Sequence, residues 1–237
     1  MTDRFDEIRE NYKRVTERIR EAEIKRGTGT KVKLLAATKT VPAEEILFAK
    51  NELGLTLAGE NKVNELLSKY DALAGQIDLH LIGHLQTNKV KQVVGKVSMI
   101  ESLDSIRLAE EINRRSKEHG IVTDVLVEIN SGREEAKGGI MPEDTASFFD
   151  EIGQFDAIRP CGIMTMAPVC EKKDDFRKYF QETYRIFIDI CLKRLHNIRE
   201  PVLSMGMSDS FDAAIEEGAT EVRVGSLIFG KRIYTAK

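Results

Sequence analysis

The chain has 237 residues, of which 41% are hydrophobic and 32% charged, and its formal net charge at pH 7 is −3. This composition is typical of a globular protein with a full core, and the charge gives no electrostatic reason to expect nucleic acid or an anionic membrane as partner. No apolar run approaches the roughly 18 residues of a membrane span, and the first residues lack the apolar segment of a secretory signal. Cys161, Cys170 and Cys191 are odd in number and lack metal-type spacing, which favours reduced thiols and a cytoplasmic location.

The first predicted element is an amphipathic helix. Apolar residues recur at helical spacing from Phe5 to Ala22, which predicts a helix over residues 3–26 that ends at the Gly27-Thr28-Gly29 turn. We treat residues 1–29 as an additional N-terminal segment ahead of a regular alternating pattern.

Strands and helices alternate from residue 30 onward. The predicted strands are 34–37, 56–61, 79–84, 97–101, 122–130, 158–166, 201–205 and 221–224. The predicted helices are 43–53, 64–74, 86–96, 105–119, 142–152, 174–195 and 209–217, and the segment 227–234 closes the chain. Eight such units without a flexible linker predict an α/β fold, a single (β/α)8 TIM barrel over residues 30–237, and one domain for residues 1–237.

Lys39 directly follows the first predicted strand. The carboxyl ends of barrel strands carry the site in this fold, and partial burial there lowers an ammonium pKa and frees the amine for Schiff-base chemistry. A lysine that simply extends its charge into solvent is the alternative, and this stretch alone favours that alternative. Residues near the C-terminal end of the chain favour the Schiff-base interpretation of Lys39 instead.

Two loops of small residues stand where barrels commonly bind phosphate, after the seventh and eighth strands. The first contains Gly206 and Ser208, and the second is Gly225-Ser226. Glycine lets the backbone approach a ligand, and a hydroxyl beside helix N-terminal amides favours an anion. Ser208 alone is equally well explained as a helix cap. The two loops together predict a phosphorylated ligand.

Arg223 lies between Val222 and Val224 on the eighth strand. Strand alternation points its side chain away from the valines and into the barrel, where an arginine needs an acceptor. That acceptor is either an acid, Glu221 or Glu60, or a ring nitrogen or phosphate of a ligand. Pyridoxal 5′-phosphate (PLP) requires an amine for its aldehyde, a binding site for its phosphate and a cation beside its ring nitrogen. Lys39, the two loops and Arg223 offer these three groups.

Five segments carry a resemblance to a known family over nearly the whole chain. They are LAATKT (35–40), GEN (59–61), HLIGHLQTNK (80–89), SMGMSD (204–209) and VRVGSLIFG (222–230). By these segments the chain resembles the YggS/PROSC family of pyridoxal phosphate homeostasis proteins. The fold of that family is similar to the barrel domain of alanine racemase, called PLP fold type III.

The resemblance implies that Lys39 holds PLP covalently as a Schiff base and that Arg223 faces the pyridine nitrogen. The other cofactor-binding residues that it implies are Ser208, Gly225 and Ser226 at the phosphate, and Asn61, His84 and Met166 nearby. Ser226 stands where the family often has threonine, a departure that keeps the hydroxyl. His80 and His84 lack a third ligand at a suggestive position, so we expect packing or hydrogen bonding for them and no metal.

A carrier role is favoured over catalysis. Racemases of this fold add a second β-domain that supplies an opposing base, and this chain has only about a dozen residues after the eighth strand. An arginine at the ring nitrogen also weakens the ring as an electron sink. We therefore expect a cytoplasmic protein that buffers and delivers PLP without strong catalysis.

Two other functions stay open at this point. One is a PLP-dependent, racemase-like enzyme, and the other is a barrel enzyme for a phosphorylated sugar that uses Lys39 as a catalytic amine. For the carrier, we expect PLP-dependent apo-enzymes as recipients of the cofactor, no nucleic acid or membrane partner, and a monomer or weak homodimer.

Overall fold

The computed structural model describes residues 3–170, 172–195, 198 and 200–230. Within these residues, eight parallel strands form a closed barrel in which each strand pairs with the next and the last pairs with the first. In chain order they are β1 (Lys33–Ala37), β2 (Leu57–Glu60), β3 (Asp78–Leu81), β4 (Met99–Leu103), β5 (Thr123–Ile129), β6 (Ile158–Thr165), β7 (Val202–Ser204) and β8 (Glu221–Val224). The predicted (β/α)8 TIM barrel is confirmed.

Helices connect the strands on the outside of the barrel. They are α1 (Arg4–Arg26), α2 (Ala43–Leu53), α3 (Val63–Leu73), α4 (Val90–Val93), α5 (Ile106–His119), α6 (Thr145–Ile152), α7 (Arg177–Lys193), α8 (Phe211–Glu216) and α9 (Ser226–Phe229). The helix predicted over 86–96 is wrong in extent, because a 3₁₀ turn precedes α4 and Gly95 takes a left-handed φ of 80°. The closing segment, 227–234, extends beyond residue 230 and so lies partly outside the described residues.

The N-terminal helix α1 packs on the last units of the barrel. It ends at Gly27, whose φ of 73° is the left-handed conformation that glycine adopts without steric cost. Along its length Asn11 Nδ2 donates to the carbonyl oxygen of Ile228 at 3.1 Å, and Arg26 donates to that of Ala219 at 2.9 Å. At its start Arg4 donates to the carbonyl oxygen of Phe229 at 2.7 Å. The helix therefore reaches the carboxyl end of β8.

The barrel interior is divided between apolar and polar side chains. Leu35 and Leu57 are paired in register on β1 and β2, and Leu35 is also opposite Arg223 on β8, so these side chains share the inner face. Alternate residues such as Ala36 and Val222 pack outward against the helices. Two small apolar clusters fill part of the interior, Leu35, Leu57 and Ile82 on one side and Met99, Leu126, Cys161, Met164 and Val202 on the other. Buried polar groups of β3, β4, β7 and β8 also lie on the inner face.

Among the described helices, none is long and apolar enough to cross a membrane. Cys161, Cys170 and Cys191 are free thiols, and Cys161 is buried. The single-domain organisation of residues 1–237 stays a prediction.

Candidate functional site

A cavity of about 660 Å³ opens at the carboxyl ends of the strands. Ligand sites commonly have volumes of this order. Of the eight cofactor-binding residues that the sequence predicts, seven line this cavity: Lys39, Asn61, Met166, Ser208, Arg223, Gly225 and Ser226. The structure thus brings together residues that are up to 187 positions apart in the chain, between Lys39 and Ser226.

His84 is the predicted residue that does not line the cavity. It follows β3, its side chain is 65% exposed, and its Nδ1 lies 3.1 Å from Asp104 Oδ2. Its proximity to a cofactor stays a prediction. His80, by contrast, is buried inside the barrel and hydrogen-bonded, as expected from the sequence.

Lys39 is positioned by the end of β1. The preceding residue, Thr38, is fully buried and continues the sheet, since its N–H donates to the carbonyl oxygen of Gly59 at 2.9 Å. The Thr38 hydroxyl donates to Glu60 Oε1 at 2.7 Å. Lys69 Nζ bonds both the Thr38 carbonyl, at 2.8 Å, and Glu60, at 2.7 Å. These bonds fix the backbone immediately before Lys39 and engage one carboxylate oxygen of Glu60, whereas its Oε2 is buried without a hydrogen-bond partner among the described residues.

The backbone immediately after Lys39 is strained. Thr40 has a φ of 63°, in the left-handed region that a β-branched residue rarely adopts. Its N–H donates to Glu65 Oε2 at 2.9 Å, and its hydroxyl donates to the Lys39 carbonyl at 2.6 Å. Strain of this kind persists only when surrounding contacts hold it, and it clusters at functional sites. Thr40 and Glu65 were not predicted from the sequence, because the sign of φ is not visible in a Thr-Val-Pro stretch.

Close packing brings the loop after β8 against the end of β1. A Cβ added to Gly225 would lie 2.5 Å from the carbonyl oxygen of Ala37, so only glycine fits at this position. The next residue, Ser226, donates its hydroxyl to the Ser208 hydroxyl at 3.0 Å. This bond joins the two loops in which the sequence predicts phosphate binding. Gly206, in the loop after β7, has a φ of 92° and accepts a bond from the Arg223 N–H at 3.0 Å.

Arg223 forms part of the cavity lining although it is only 4% exposed. Its Nη1 donates to the Ser204 hydroxyl at 2.7 Å, and its Nη2 donates to the carbonyl oxygen of Thr165 at 2.8 Å. The salt bridge to Glu221 or Glu60 that the sequence left open is thus replaced by two neutral acceptors. The guanidinium is held at two points by β6 and β7.

Behind Arg223 the polar network continues into the barrel. Ser204 donates to Glu101 Oε2 at 2.7 Å, and the other carboxylate oxygen of Glu101 lies 2.6 Å from His80 Nδ1. Burial opposes ionisation of Glu101, but the bond from His80 and the charge of Arg223 lower its pKa. Burial, followed by the charge of Glu101, raises the pKa of Glu221 to about 8. Neither Ser204 nor Glu101 was predicted as a site residue from the sequence. Their only signal is a polar residue with inward parity on a buried strand.

An unsatisfied acceptor tests whether these residues fit PLP. Asn61 lines the cavity, and its Oδ1 is buried without a hydrogen-bond partner within the described part of the chain. A buried acceptor without a partner is costly, and a ligand hydrogen-bond donor would satisfy it. The cavity also offers a primary amine in Lys39, paired hydroxyls and a guanidinium. This set matches the aldehyde, phosphate and ring nitrogen of PLP, so the residues fit that cofactor.

Comparison with known proteins agrees with the geometry. The family described as "Alanine racemase, N-terminal domain" matches residues 4–233. A protein of Aquifex aeolicus named "Pyridoxal phosphate homeostasis protein" is 46% identical over 227 residues, which cover 95% of this chain and 98% of the relative.

Solved structures give the same result. A protein of unknown function from Bifidobacterium adolescentis superposes with a TM-score of 0.90 and 36% identity, covering 97% of this chain and 98% of the other. PipY of Synechococcus elongatus, solved with PLP bound, has a TM-score of 0.75 and 30% identity over 84% of this chain and 92% of its own. The chain therefore belongs to the family of alanine racemase N-terminal domains and, within it, to the pyridoxal phosphate homeostasis proteins.

Proposed function

We propose that this protein binds PLP in the cavity at the carboxyl end of the barrel and acts in PLP homeostasis, through reversible covalent attachment of the cofactor to Lys39. The observation that carries the proposal is the convergence of Lys39, the Ser208–Ser226 hydroxyl pair and buried Arg223 on one cavity. The homeostasis name of the Aquifex relative and the PLP bound in PipY support it.

Each residue has a role that follows from its environment. The aldehyde of PLP condenses with a primary amine, with release of water, and Lys39 presents the amine that lines the cavity. Ser208 and Ser226 offer hydroxyls to the phosphate, and the tight fit of Gly225 keeps that loop beside β1. Arg223 presents a cation that does not give up its proton, so a pyridine nitrogen facing it stays unprotonated. Asn61 offers its unsatisfied oxygen to a donor of the ligand.

A carrier role follows from the same arrangement. Catalysis at the α-carbon of an amino acid depends on the ring as an electron sink, and an unprotonated nitrogen weakens that sink. Attachment and release of the aldehyde do not need the sink. We therefore favour buffering and delivery of the cofactor over racemase chemistry. Apo-enzyme recipients, a cytoplasmic location and a monomeric or weakly dimeric state are parts of this proposal.

The decisive experiment is a titration of the purified protein with PLP, followed by absorbance and by reduction with borohydride. We expect a yellow complex whose colour borohydride bleaches while one equivalent of cofactor becomes fixed to the chain. The matched control variant is Lys62→Ala, which should fix PLP like the wild type, because Lys62 is 76% exposed and does not line the cavity. A protein that retains no colour and no borohydride-fixed cofactor once free PLP is removed would contradict the proposal and favour a sugar-phosphate enzyme. Sustained turnover of amino acids would instead favour the racemase-like alternative.

A further inference from the structure

A group of ionisable side chains fills the centre of the barrel below Arg223. One ligand atom each of His80, Glu101 and Glu221 lies within 4.8 Å of the others. The three residues are 7%, 0% and 1% exposed, so they have almost no contact with solvent. Glu221 Oε1 is buried without a hydrogen-bond partner in the described chain. None of the three residues lines the cavity.

The donor set is that of a metal site, but the charges argue against a metal. Both oxygens of Glu101 are already hydrogen-bonded, to His80 at 2.6 Å and to Ser204 at 2.7 Å. The same Ser204 hydroxyl accepts a bond from Arg223 Nη1 at 2.7 Å. A divalent cation would have to replace the bond between His80 and Glu101 and would face the guanidinium charge in a medium of low dielectric constant.

Charge balance in the buried group is reached with protons instead. Arg223 carries one positive charge, and the ionised carboxylate of Glu101 compensates it. A second buried negative charge on Glu221 is costly unless a proton is held on Glu221 itself or on His80. The pKa values follow this balance, since burial raises that of Glu221 to about 8, while the bond from His80 and the charge of Arg223 lower that of Glu101. Glu101 is therefore the anion of the group next to Arg223.

The ionised state of Glu101 fixes the direction of the hydrogen bonds. A carboxylate only accepts, so the single hydroxyl hydrogen of Ser204 is donated to Glu101. The lone pairs of Ser204 are then left for Arg223, which only donates. The chain runs in one direction, from Arg223 through Ser204 to Glu101, and such chains strengthen each of their bonds. A neutral amide in place of Glu101 could donate to the Ser204 oxygen. The Ser204 hydroxyl hydrogen would then point towards Arg223, which has no acceptor for it.

We propose that Glu101 is a positioning residue for the cofactor site, which acts through Ser204 to hold the Arg223 guanidinium in place at the cavity. This inference rests on the proposed function, because it assumes that Arg223 faces the ring of bound PLP. Glu101 itself does not line the cavity.

The test compares Glu101→Gln and Ser204→Ala with a buried hydroxyl that is not connected to the site. Ser116→Ala is that control, because the Ser116 hydroxyl is buried and bonded at 2.6 Å to Thr123 on the outside of the barrel. We expect both site variants to bind PLP about tenfold more weakly, the equivalent of one charge-assisted bond. We also expect the absorbance of their bound PLP to change with pH, since the ring nitrogen becomes able to take a proton. Ser116→Ala should match the wild type in both measurements.

A double-mutant cycle separates positioning from general destabilisation. If Glu101 and Ser204 act only through Arg223, then Ser204→Ala has no further effect on PLP affinity in an Arg223→Ala background. Additive effects would overturn the proposal, as would a folded Ser204→Ala variant with wild-type affinity and pH profile. If Glu101→Gln fails to fold, Ser204→Ala decides alone, because it leaves all charges in place.

Further outcomes separate the positioning role of Glu101 from a metal site and from the proposed binding of PLP. Stoichiometric Zn²⁺ that survives dialysis in the wild type and is lost in Glu221→Gln would show a metal site and overturn it. A wild-type protein that fixes no PLP with borohydride would overturn the proposed function as well. Wild-type fixation together with unaffected site variants would overturn the positioning role alone.

Discussion

The floor and the rim of the cavity satisfy their polar groups in different ways. On the floor, which we define as Thr165, Ser204 and Arg223, the side chains are at most 4% exposed and the guanidinium is bonded at 2.7 and 2.8 Å. On the rim, defined as Ser208 and Ser226, the polar side chains share a single 3.0 Å bond in exposed surroundings. The floor is therefore ordered before a ligand arrives, whereas the rim exchanges weak bonds or water for ligand contacts. Changes near the floor should cost more than changes at the rim.

The largest expected effect belongs to Lys39, which stands between the two regions and supplies the amine. Lys39→Ala should abolish PLP fixed by borohydride. Weak noncovalent binding through the rim and Arg223 should remain. The free energy of unfolding of the apo-protein should change by less than about 1 kcal/mol, because Lys39 is only partly buried. Absorbance, fixed cofactor and urea unfolding measure the three effects. Undiminished covalent binding would remove Lys39 from the site.

The next effect concerns the interior below the floor and depends on pH. The pKa of Glu221 is raised by burial to about 8, so the folded state binds more protons than the unfolded state between pH about 4.3 and 8. This contribution to the free energy of unfolding is present below pH about 4.3 and is lost as the pH rises to 8.

Glu221→Gln removes this dependence. Relative to the wild type, the variant should gain stability between pH 5 and pH 8, by an amount on the order of a few kcal/mol. Urea unfolding at a series of pH values measures it. Glu110→Gln, an exposed change on α5, should give a curve parallel to that of the wild type. If the free energy of unfolding of Glu221→Gln also runs parallel to that of the wild type across pH, the pKa of Glu221 is not raised by folding.

A steric change tests the junction of floor and rim. Gly225→Ala places a Cβ 2.5 Å from the Ala37 carbonyl oxygen, so backbone must move at the contact of β1 and β8. We expect the free energy of unfolding to fall by about 1–3 kcal/mol, as in overpacked cores. PLP binding should weaken as well. Gly138→Ala is the control, because its Cβ would meet only the Asp104 carboxylate, at 3.2 Å. Equal stabilities for the two variants would mean that the junction is not tight.

The smallest effects are expected at the rim itself. Ser208→Ala and Ser226→Ala should each weaken PLP binding by about 0.5–1.5 kcal/mol, the value of a neutral hydrogen bond, because backbone groups and water still contact the phosphate. Equilibrium dialysis with PLP measures this, with Ser68→Ala on α3 as the control. If both rim variants retain the cofactor as tightly as the wild type, the hydroxyls serve only to join the two loops.

The sequence was most informative where local signals are strong. Helix α2 and strand β8 begin and end at the predicted residues, since Pro42 and Gly54 delimit the helix and alternating valines mark the strand. The inward parity of Arg223 was also readable from that alternation. The short α4 was not, because it ends at Val93, with a second β-branched valine and Gly95 directly after it.

The contacts of the floor were out of reach for a different reason. Ser204 on β7 meets Glu101 on β4 across the barrel interior, 103 positions apart in the chain. Periodicity gives the face on which a side chain lies, but not which side chain lies opposite it in a closed barrel, since that depends on the register of all intervening strands. The partner of Arg223 was left open for this reason, and the structure replaces both candidate acids with Ser204 and Thr165.

Peptide mapping after borohydride reduction of the PLP complex tests the central claim most directly. Lys62 and Lys89 are the competitors close to the site in sequence, and neither lines the cavity. Lys33 lies at the opposite end of β1, where it pairs with Glu200 at 3.6 Å. We predict the pyridoxyl group on the peptide that contains Lys39, at one equivalent per chain. A pyridoxyl group mainly on Lys62 or Lys89 would contradict it.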